Sequence, residues 1–512
     1  MPPNLKDKIQ RNRAIQWAIS VTSGSGRLPS AIVLAGATFL MLLADWPSWW
    51  VPLPKPVVTV VNLAADSYTS GRHFLFDRYQ REAPRQVESQ PVTIVAIDEK
   101  SLAKMGQWPW PRHRLAALVD SIAKHDPAAI GLDIYMPEAD QTSPGQIAAS
   151  LESSQPDLAR RLRELPSNDE ILANSLRKAP IVLGAAGFDF KTYTTSEGLR
   201  TWPFTLRNPG AVPDTVRQYP AVLASLPLLQ SAAAGQALLS VDSDDGKVRR
   251  IPLLSSVNGE IVPSLAIEMF RVALGQPASE AELNHYGIAA VKVGDLRVPT
   301  QPDGSVFIHS AHQADTLNRY VSALDILEDK VDPQALSGKL VLIGLTGMGL
   351  NDMRITSLGE HVPGIEIQAQ LIESFFDQRF LQRPWWLIFA EMGLALLSGT
   401  LMIWLIPRVQ PNHRLGAIYR LPMVGVIGSF GLNALAIALG FYLFRQYGLM
   451  FDAASFFLIT SAVFGMLFAL AQASAARAKE ELRQRQWDEL VQRAEQSEIA
   501  LQEYSKPIGD QK

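Results

Sequence analysis

The sequence predicts a membrane-anchored α/β protein: an extracytoplasmic domain with a mostly parallel sheet, four transmembrane α-helices, and a cytoplasmic helical tail of coiled-coil-like pattern. Three observations lead there. Four long apolar blocks stand in a chain of 512 residues of which only 19% are charged, below the usual quarter for soluble domains. Between the first two blocks, short β-branched runs alternate with helical patterns. Basic residues gather in the short segments beside the blocks.

Composition narrows the function classes. The chain has no cysteine, which rules out disulfides, iron–sulfur clusters, cysteine zinc sites and a thiol nucleophile, and is compatible with a bacterial periplasm. A formal net charge of −3 argues against a dedicated nucleic-acid binder.

The elements follow in order. Segment 1–27 carries Lys6, Lys8, Arg11, Arg13 and Arg27 against a single acid, Asp7. Transmembrane helix 1 is expected at 28–46, uncharged from 28 to 44 and only just long enough to span a bilayer. No small-x-small cleavage site follows its apolar core, so it reads as a retained anchor rather than a signal peptide. Segment 47–383 is the outside domain. Transmembrane helices 2, 3 and 4 are expected at 385–406, 421–444 and 451–473, the second interrupted only by Glu391. The loop after the second block holds Arg408, Arg414 and Arg420. Arg477, Lys479, Arg483 and Arg485 open the tail at 474–512. With four spans all these basic segments fall on one side, so both termini are cytoplasmic and 47–383 is periplasmic. Trp46, Trp49 and Trp50, then Trp385 and Trp386, sit where interfacial aromatic belts are expected. Between Gly465 and Pro507 there is neither Pro nor Gly, so the last span should continue as one helix. Trp487, Leu490, Ala494, Leu501 and Tyr504 keep a 3–4 alternation that suits a paired coil or a solvated single helix.

Within the outside domain, 92–98 (VTIVAID), 128–135 (AAIGLDIY), 180–185 and 339–345 (KLVLIGL) read as strands, and Pro111 opens a helix with Leu115, Leu118, Val119 and Ile122 on one face. Strand–helix–strand repeats imply a mostly parallel sheet covered by helices. Asp245-Gly246 marks an antiparallel hairpin within 235–254. Stretches 140–170 and 190–220 are poor in pattern and read as long connections.

These pieces resemble a known family, the extracellular sensor domain associated with cyclases and histidine kinases (the CHASE domain), type two. The resemblance is carried by Ala96-Ile97-Asp98-Glu99-Lys100-Ser101, Trp108-Pro109-Trp110-Pro111-Arg112, Gly131-Leu132-Asp133-Ile134, Asp245-Gly246-Lys247-Val248-Arg249-Arg250, the run 338–344 ending in Gly344, Asp352, and Pro363-Gly364-Ile365-Glu366-Ile367. It covers roughly 60–405, and three spans after the domain are the arrangement the family shows. It departs where 353–358 lacks a usual proline and where Gln368 replaces a frequent histidine. The resemblance implies a sensory role. It also implies an output domain after the last span; none follows here, so a separate cytoplasmic output protein is expected.

Ligands of open α/β sheets sit off the carboxyl ends of the strands. Asp98, Glu99, Trp108, Trp110, Arg112 and Asp133 are therefore the ligand-binding candidates, suited to a small polar or cationic ligand through stacking and charged hydrogen bonds. The same residues also read as a structural brace, with Asp98 capping the next helix and Arg112 pairing with Asp98 or Asp133. Asp245, Gly246, Arg249, Gly344 and Asp352 read as structural turn or motif residues. The 344–349 glycines have G-x-x-G-x-G spacing, which suits a tight turn rather than a dinucleotide. The 242–246 run has Leu253 where a calcium loop needs a glutamate, and His309 and His312 lack a third zinc ligand. No metal, cofactor or catalytic residue is expected, and so no enzyme. Glu391 reads as packing glue through Asn433 or Arg445 rather than a proton relay.

The expected function is a receptor-like sensor of the bacterial inner membrane, perceiving an unknown small molecule or envelope ligand and passing the change to that output protein, with a homodimer through the tail. The alternatives are an envelope scaffold and the front part of a longer cyclase or kinase receptor.

Overall fold

A computed structural model describes residues 27–44, 55–405 and 422–504, apart from 193–195, 197–198, 203, 208–214, 276–277 and 351. Trp46, Trp49 and Trp50, and the basic residues before Arg27 and between 406 and 421, lie outside the described residues.

The domain is built on one seven-stranded sheet. Six strands run parallel, in the spatial order Tyr320–Ser322, Val92–Ile97, Leu340–Leu345, Ala129–Leu132, Ile181–Phe188 and Gly235–Leu238. Ala221–Leu223 adds an antiparallel pairing to Ile181–Phe188. All six residues of Val92–Ile97 are buried, as expected of a parallel strand covered on both faces, whose sequence is a continuous apolar run rather than an alternation. One face packs on Arg112–Ala123, Asn168–Leu176 and Pro227–Ala232 through Leu115, Leu118, Leu172 and Leu229. The other packs on Leu265–Ala273 and Gly364–Phe376 through Leu265, Met269, Ile365 and Leu371.

Among the described residues, three smaller sheets, of three, four and five strands, extend the domain. The architecture is thus a mixed α/β domain with several sheets; the parallel sheet is its centre, not its whole. The expected hairpin is present: Asp242–Asp244 pairs with Lys247–Pro252, and Asp245 and Gly246 turn the chain at φ +54° and +76°, the left-handed pair such a two-residue turn needs. Stretch 140–170 is not a connection. It holds Pro144–Leu151 and Pro156–Arg163, then the start of Asn168–Leu176, where Ser167 and Glu170 form a capping box.

Among the described residues, three helices are long and apolar enough to cross a membrane: Leu387–Leu405, Val426–Tyr447 and Ala453–Ala473. The expected transmembrane helix 1 does form a helix, Arg27–Ala44, but its apolar part, Arg27–Leu43, is shorter than the other three. Its Leu34 and Met41 are buried in a cluster with Leu387, Ala436, Phe456 and Val463. The last span continues without a break as Ala453–Tyr504.

No local sequence pattern announces Lys55–Glu82, one helix of 28 residues. It joins the domain to the apolar helices. Tyr68 Oη donates to Ala37 O (3.0 Å), Tyr79 Oη donates to Ile437 O (3.0 Å), and Arg72 pairs with Asp452 at 3.0 Å. Facing the domain, Asp77 receives Arg249 Nε at 2.8 Å and Lys247 Nζ at 2.7 Å. The hairpin's Arg249 is therefore a clamp on this helix.

Candidate functional site

A cavity of about 790 Å³ opens at the carboxyl ends of the central strands, within the range of small-molecule sites. Its position follows from chain direction. Asp133 leaves Ala129–Leu132, Leu345 ends its strand, Ala186 and Gly187 lie near the end of Ile181–Phe188, and Leu239 and Ser240 follow Gly235–Leu238.

Of the six candidates, Trp108, Trp110, Arg112 and Asp133 line this cavity; Asp98 and Glu99 do not. Asp98 caps helix Glu99–Met105: its Oδ1 accepts from Ser101 N (2.8 Å), Ser101 Oγ (2.6 Å) and Ser322 Oγ (3.0 Å). Glu99 Oε1 accepts from Met348 N at 2.7 Å. Asp98 therefore ties its helix to the edge strand Tyr320–Ser322, and Glu99 ties it to the loop after Leu340–Leu345. In that loop Thr346 N and Gly347 N both donate to Ile97 O, so the 344–349 glycines form a tight turn. Gly344 itself sits where a Cβ would fall 2.9 Å from Ile365 Cβ, close under helix Gly364–Phe376.

Trp110 is buried and donates Nε1–H to Gly106 O (2.9 Å); Trp108 packs over it with ring centroids 6.0 Å apart. Arg112 does not pair with Asp98 or Asp133. Its guanidinium Nε lies 3.7 Å from Asp169 Oδ1, while its backbone N–H donates to Asp140 Oδ2 at 2.7 Å. Asp140 also accepts from Thr142 N, Thr142 Oγ1 and Asn168 Nδ2. Burial works against the Asp140 anion, yet these hydrogen bonds hold its carboxyl below the usual range.

Asp133 behaves oppositely. Burial, and then the neighbouring Asp352 charge, push its carboxyl up from 3.8 to about 7, against the pull of Arg354. Burial likewise raises Asp352, again opposed by Arg354, whose Nη2 lies 3.5 Å from Asp352 Oδ1. Asp352, expected only as a motif residue, thus joins Asp133 in the cavity wall. Gly364 makes room for it: a Cβ there would stand 2.6 Å from Asp352 Oδ2, so no larger residue fits without displacing the carboxylate.

Sequence reasoning missed Asp140, Arg354 and Gln368 as wall residues, and Asp169 as the partner of Arg112. The available signal was the density of polar residues just after the strand ends, in 137–142 and 352–354. Among the described residues no three His, Asp or Glu side chains are grouped to hold a metal.

A family model for the CHASE2 domain matches residues 57–406, which is most of the chain. The chain belongs to the CHASE2 domain family. No curated protein and no solved structure matches it. CHASE2 domains are extracellular sensory domains rather than catalytic ones, and the match takes in the first of the three apolar helices. This CHASE2 protein is therefore a membrane protein with a sensory domain.

The CHASE2 domain is fastened to those helices by charged contacts. Glu391 bonds neither Asn433 nor Arg445. Arg383, from just before the helix, donates Nη1 and Nη2 to its two oxygens, each at 2.8 Å, and Asp452 N donates to Glu391 Oε1 at 2.7 Å. Asn433 instead accepts from Thr460 Oγ1.

Helix Gly364–Phe376 runs from the cavity wall to the buried ion pairs of Arg85. Gly364 and Gln368 line the cavity. Toward the other end, Glu373 Oε2 receives Arg85 Nη2 at 2.6 Å and Arg319 Nη2 at 2.9 Å, and Asp377 receives Arg85 Nη1 at 3.0 Å. Tyr320 Oη donates to Glu366 Oε2 in the same buried layer. The thirteen residues from 364 to 376 extend about 20 Å at the helical rise. Arg85 closely follows the long helix Lys55–Glu82.

Proposed function

We propose that this protein is a receptor-like sensor of the bacterial inner membrane. A small molecule binds in the cavity at the carboxyl ends of the sheet, with Trp108, Arg112, Asp133 and Asp352 in its wall. Its binding shifts helix Gly364–Phe376 along its axis. That helix acts on Arg85 and so on Lys55–Glu82, and on Arg383–Glu391 at the start of Leu387–Leu405. The continuous helix Ala453–Tyr504 then carries the change to a separate cytoplasmic partner.

One observation carries this reading: a single helix forms part of the cavity wall at one end and is held by buried ion pairs beside the membrane helices at the other. A scaffold needs neither the cavity nor that continuity. In the proposed topology Arg27–Ala44 also spans the bilayer, the domain is periplasmic, and both termini are cytoplasmic, from the basic bias of the flanking segments. The exposed Trp487 and Leu490 of the tail form the seam against a second copy of the chain.

A thermal-shift screen of the detergent-solubilised full chain against small molecules tests the reading. A compound that binds only the folded state raises the melting temperature by mass action. The expected result is a stabilising compound whose effect is lost in Asp352→Asn, with unliganded melting unchanged. Stabilisation that survives this change, or none from any compound, would contradict it.

A further inference from the structure

The class of ligand can be read from the cavity wall, granted that the cavity is the sensory site. Most charged groups there already have partners. Asp140 is saturated by hydrogen bonds. Arg112 and Asp169 face each other: each has a buried atom without a hydrogen bond, and these two atoms, 3.7 Å apart, complement one another in charge. Arg217 holds both oxygens of Asp189 at 2.9 and 2.8 Å and lies 5.2 Å over the Tyr219 ring.

What remains is acceptors and negative charge. Among the described residues, the Asp133 side chain accepts no hydrogen bond, and its nearest charged neighbours are Asp352, which repels it, and Arg354, which attracts it. Gln368 is only 2% exposed and lines the cavity, yet its Oε1 has no partner among the described residues. Arg354 is nearly half exposed, at 47%, and its contact with Asp352 is a long one at 3.5 Å. Two neighbouring carboxyls, one without a donor and one loosely held, are relieved by a ligand bringing a positive charge and several N–H groups. A neutral polyol supplies donors but leaves the repulsion between the carboxyls. An anion adds to it. Trp108 and Tyr135 in the same wall offer ring surface for the cation and its apolar stem.

We propose that the cavity binds a small organic cation, a primary amine or guanidinium compound, whose head lies between Asp133 and Asp352 and donates to Gln368. The proposal rests on the sensor reading above. Proton linkage supports it as well: an ammonium beside Asp133 favours its ionised form against burial and the Asp352 charge, so binding near neutral pH releases a proton.

The test is calorimetric titration of the full chain in detergent with putrescine, agmatine and tyramine, beside 1,4-butanediol and succinate. The expected result is saturable binding of at least one of the three cations and of neither control. Asp133→Asn and Asp352→Asn should each weaken that binding at least tenfold. Arg354→Gln should tighten it several-fold by removing the competing cation. The heat measured in two buffers of different protonation enthalpy should show proton release. Melting of each unliganded variant checks that it is folded. Binding of succinate or butanediol in place of the cations, lost in Trp108→Ala, would overturn the cation class and leave the cavity as the sensory site. Cation binding unaffected by either aspartate change would overturn the placement. No binding by any probe would overturn the cation proposal, and the sensor reading falls with it only if the broader screen is also empty.

Discussion

Arg85 Nη2 lies 2.6 Å from Glu373 Oε2, with both side chains almost completely buried. The pair joins the end of Lys55–Glu82 to the helix that leaves the cavity wall. Burial raises the Glu373 carboxyl above its usual range, even against Arg319 and Arg85. Removing one partner strands the others. Glu373→Ala should therefore cost about 3–5 kcal/mol, read as a fall in the chemical-denaturation midpoint of the full chain. An effect within experimental error would show that the cluster is not a structural joint.

Trp110 and Trp108 should separate cleanly. Trp110 is buried at the sheet's end, and truncating a buried tryptophan costs about 3–5 kcal/mol, so Trp110→Ala should lower unliganded melting markedly. Trp108 is only half-buried and faces the cavity, so Trp108→Ala should leave melting close to wild type and act on ligand binding. Equal losses in the two variants would remove Trp108 from the ligand wall.

The pH dependence of the unliganded protein follows from Asp133. Its folded value, about 7, is raised above the ordinary 3.8. The stabilisation from the neutral form is complete below the unfolded value and is lost as pH rises through about 7. Every tenfold change in acidity between the folded and unfolded chain corresponds to about 1.4 kcal/mol. Asp133→Asn, neutral throughout, should match wild type near pH 4 and melt higher near pH 8. Melting curves that stay parallel across that range would contradict the burial of this charge.

Topology is tested by reporter fusions. A reporter after Lys512 should be cytoplasmic and one inserted near Gln141 periplasmic, as the basic flanks require. A cytoplasmic signal at Gln141 would overturn the sensor's orientation.

Much of the centre is legible in the sequence. The strands at 92–97, 129–132, 181–188 and 340–345 stand out because parallel strands buried on both faces are continuous apolar runs. The cavity lies where strand direction puts it, and Asp245-Gly246 turns as its chemistry demands. The rest is hidden for physical reasons. Lys55–Glu82 opens with β-branched Val57, Val58, Thr59, Val60 and Val61 and contains Ser70-Gly71, poor local helix formers. Its helix is held by tertiary contacts such as Arg72–Asp452 and Asp77–Arg249. The small sheets use strands such as Met353–Thr356, four residues long, too short for alternation to register. Apolar spans point Glu391 toward polar residues of other spans, whereas Arg383 reaches it from eight positions earlier, outside the helix. Strand ends point Arg112 toward Asp98 and Asp133, whereas Asp169 arrives on a helix that the weak pattern of 140–170 conceals.

The central claim is that the cavity and the membrane helices are coupled through Gly364–Phe376. Hydrogen–deuterium exchange of the full chain, with and without a stabilising small molecule from the screen, tests it most directly. Coupling predicts altered exchange in the cavity wall at 133–142 and 352–368, and also at 373–391 and 449–456, where Arg85, Arg383 and Asp452 make their contacts. Changes confined to the cavity wall, with 373–391 and 449–456 unaltered, would contradict it.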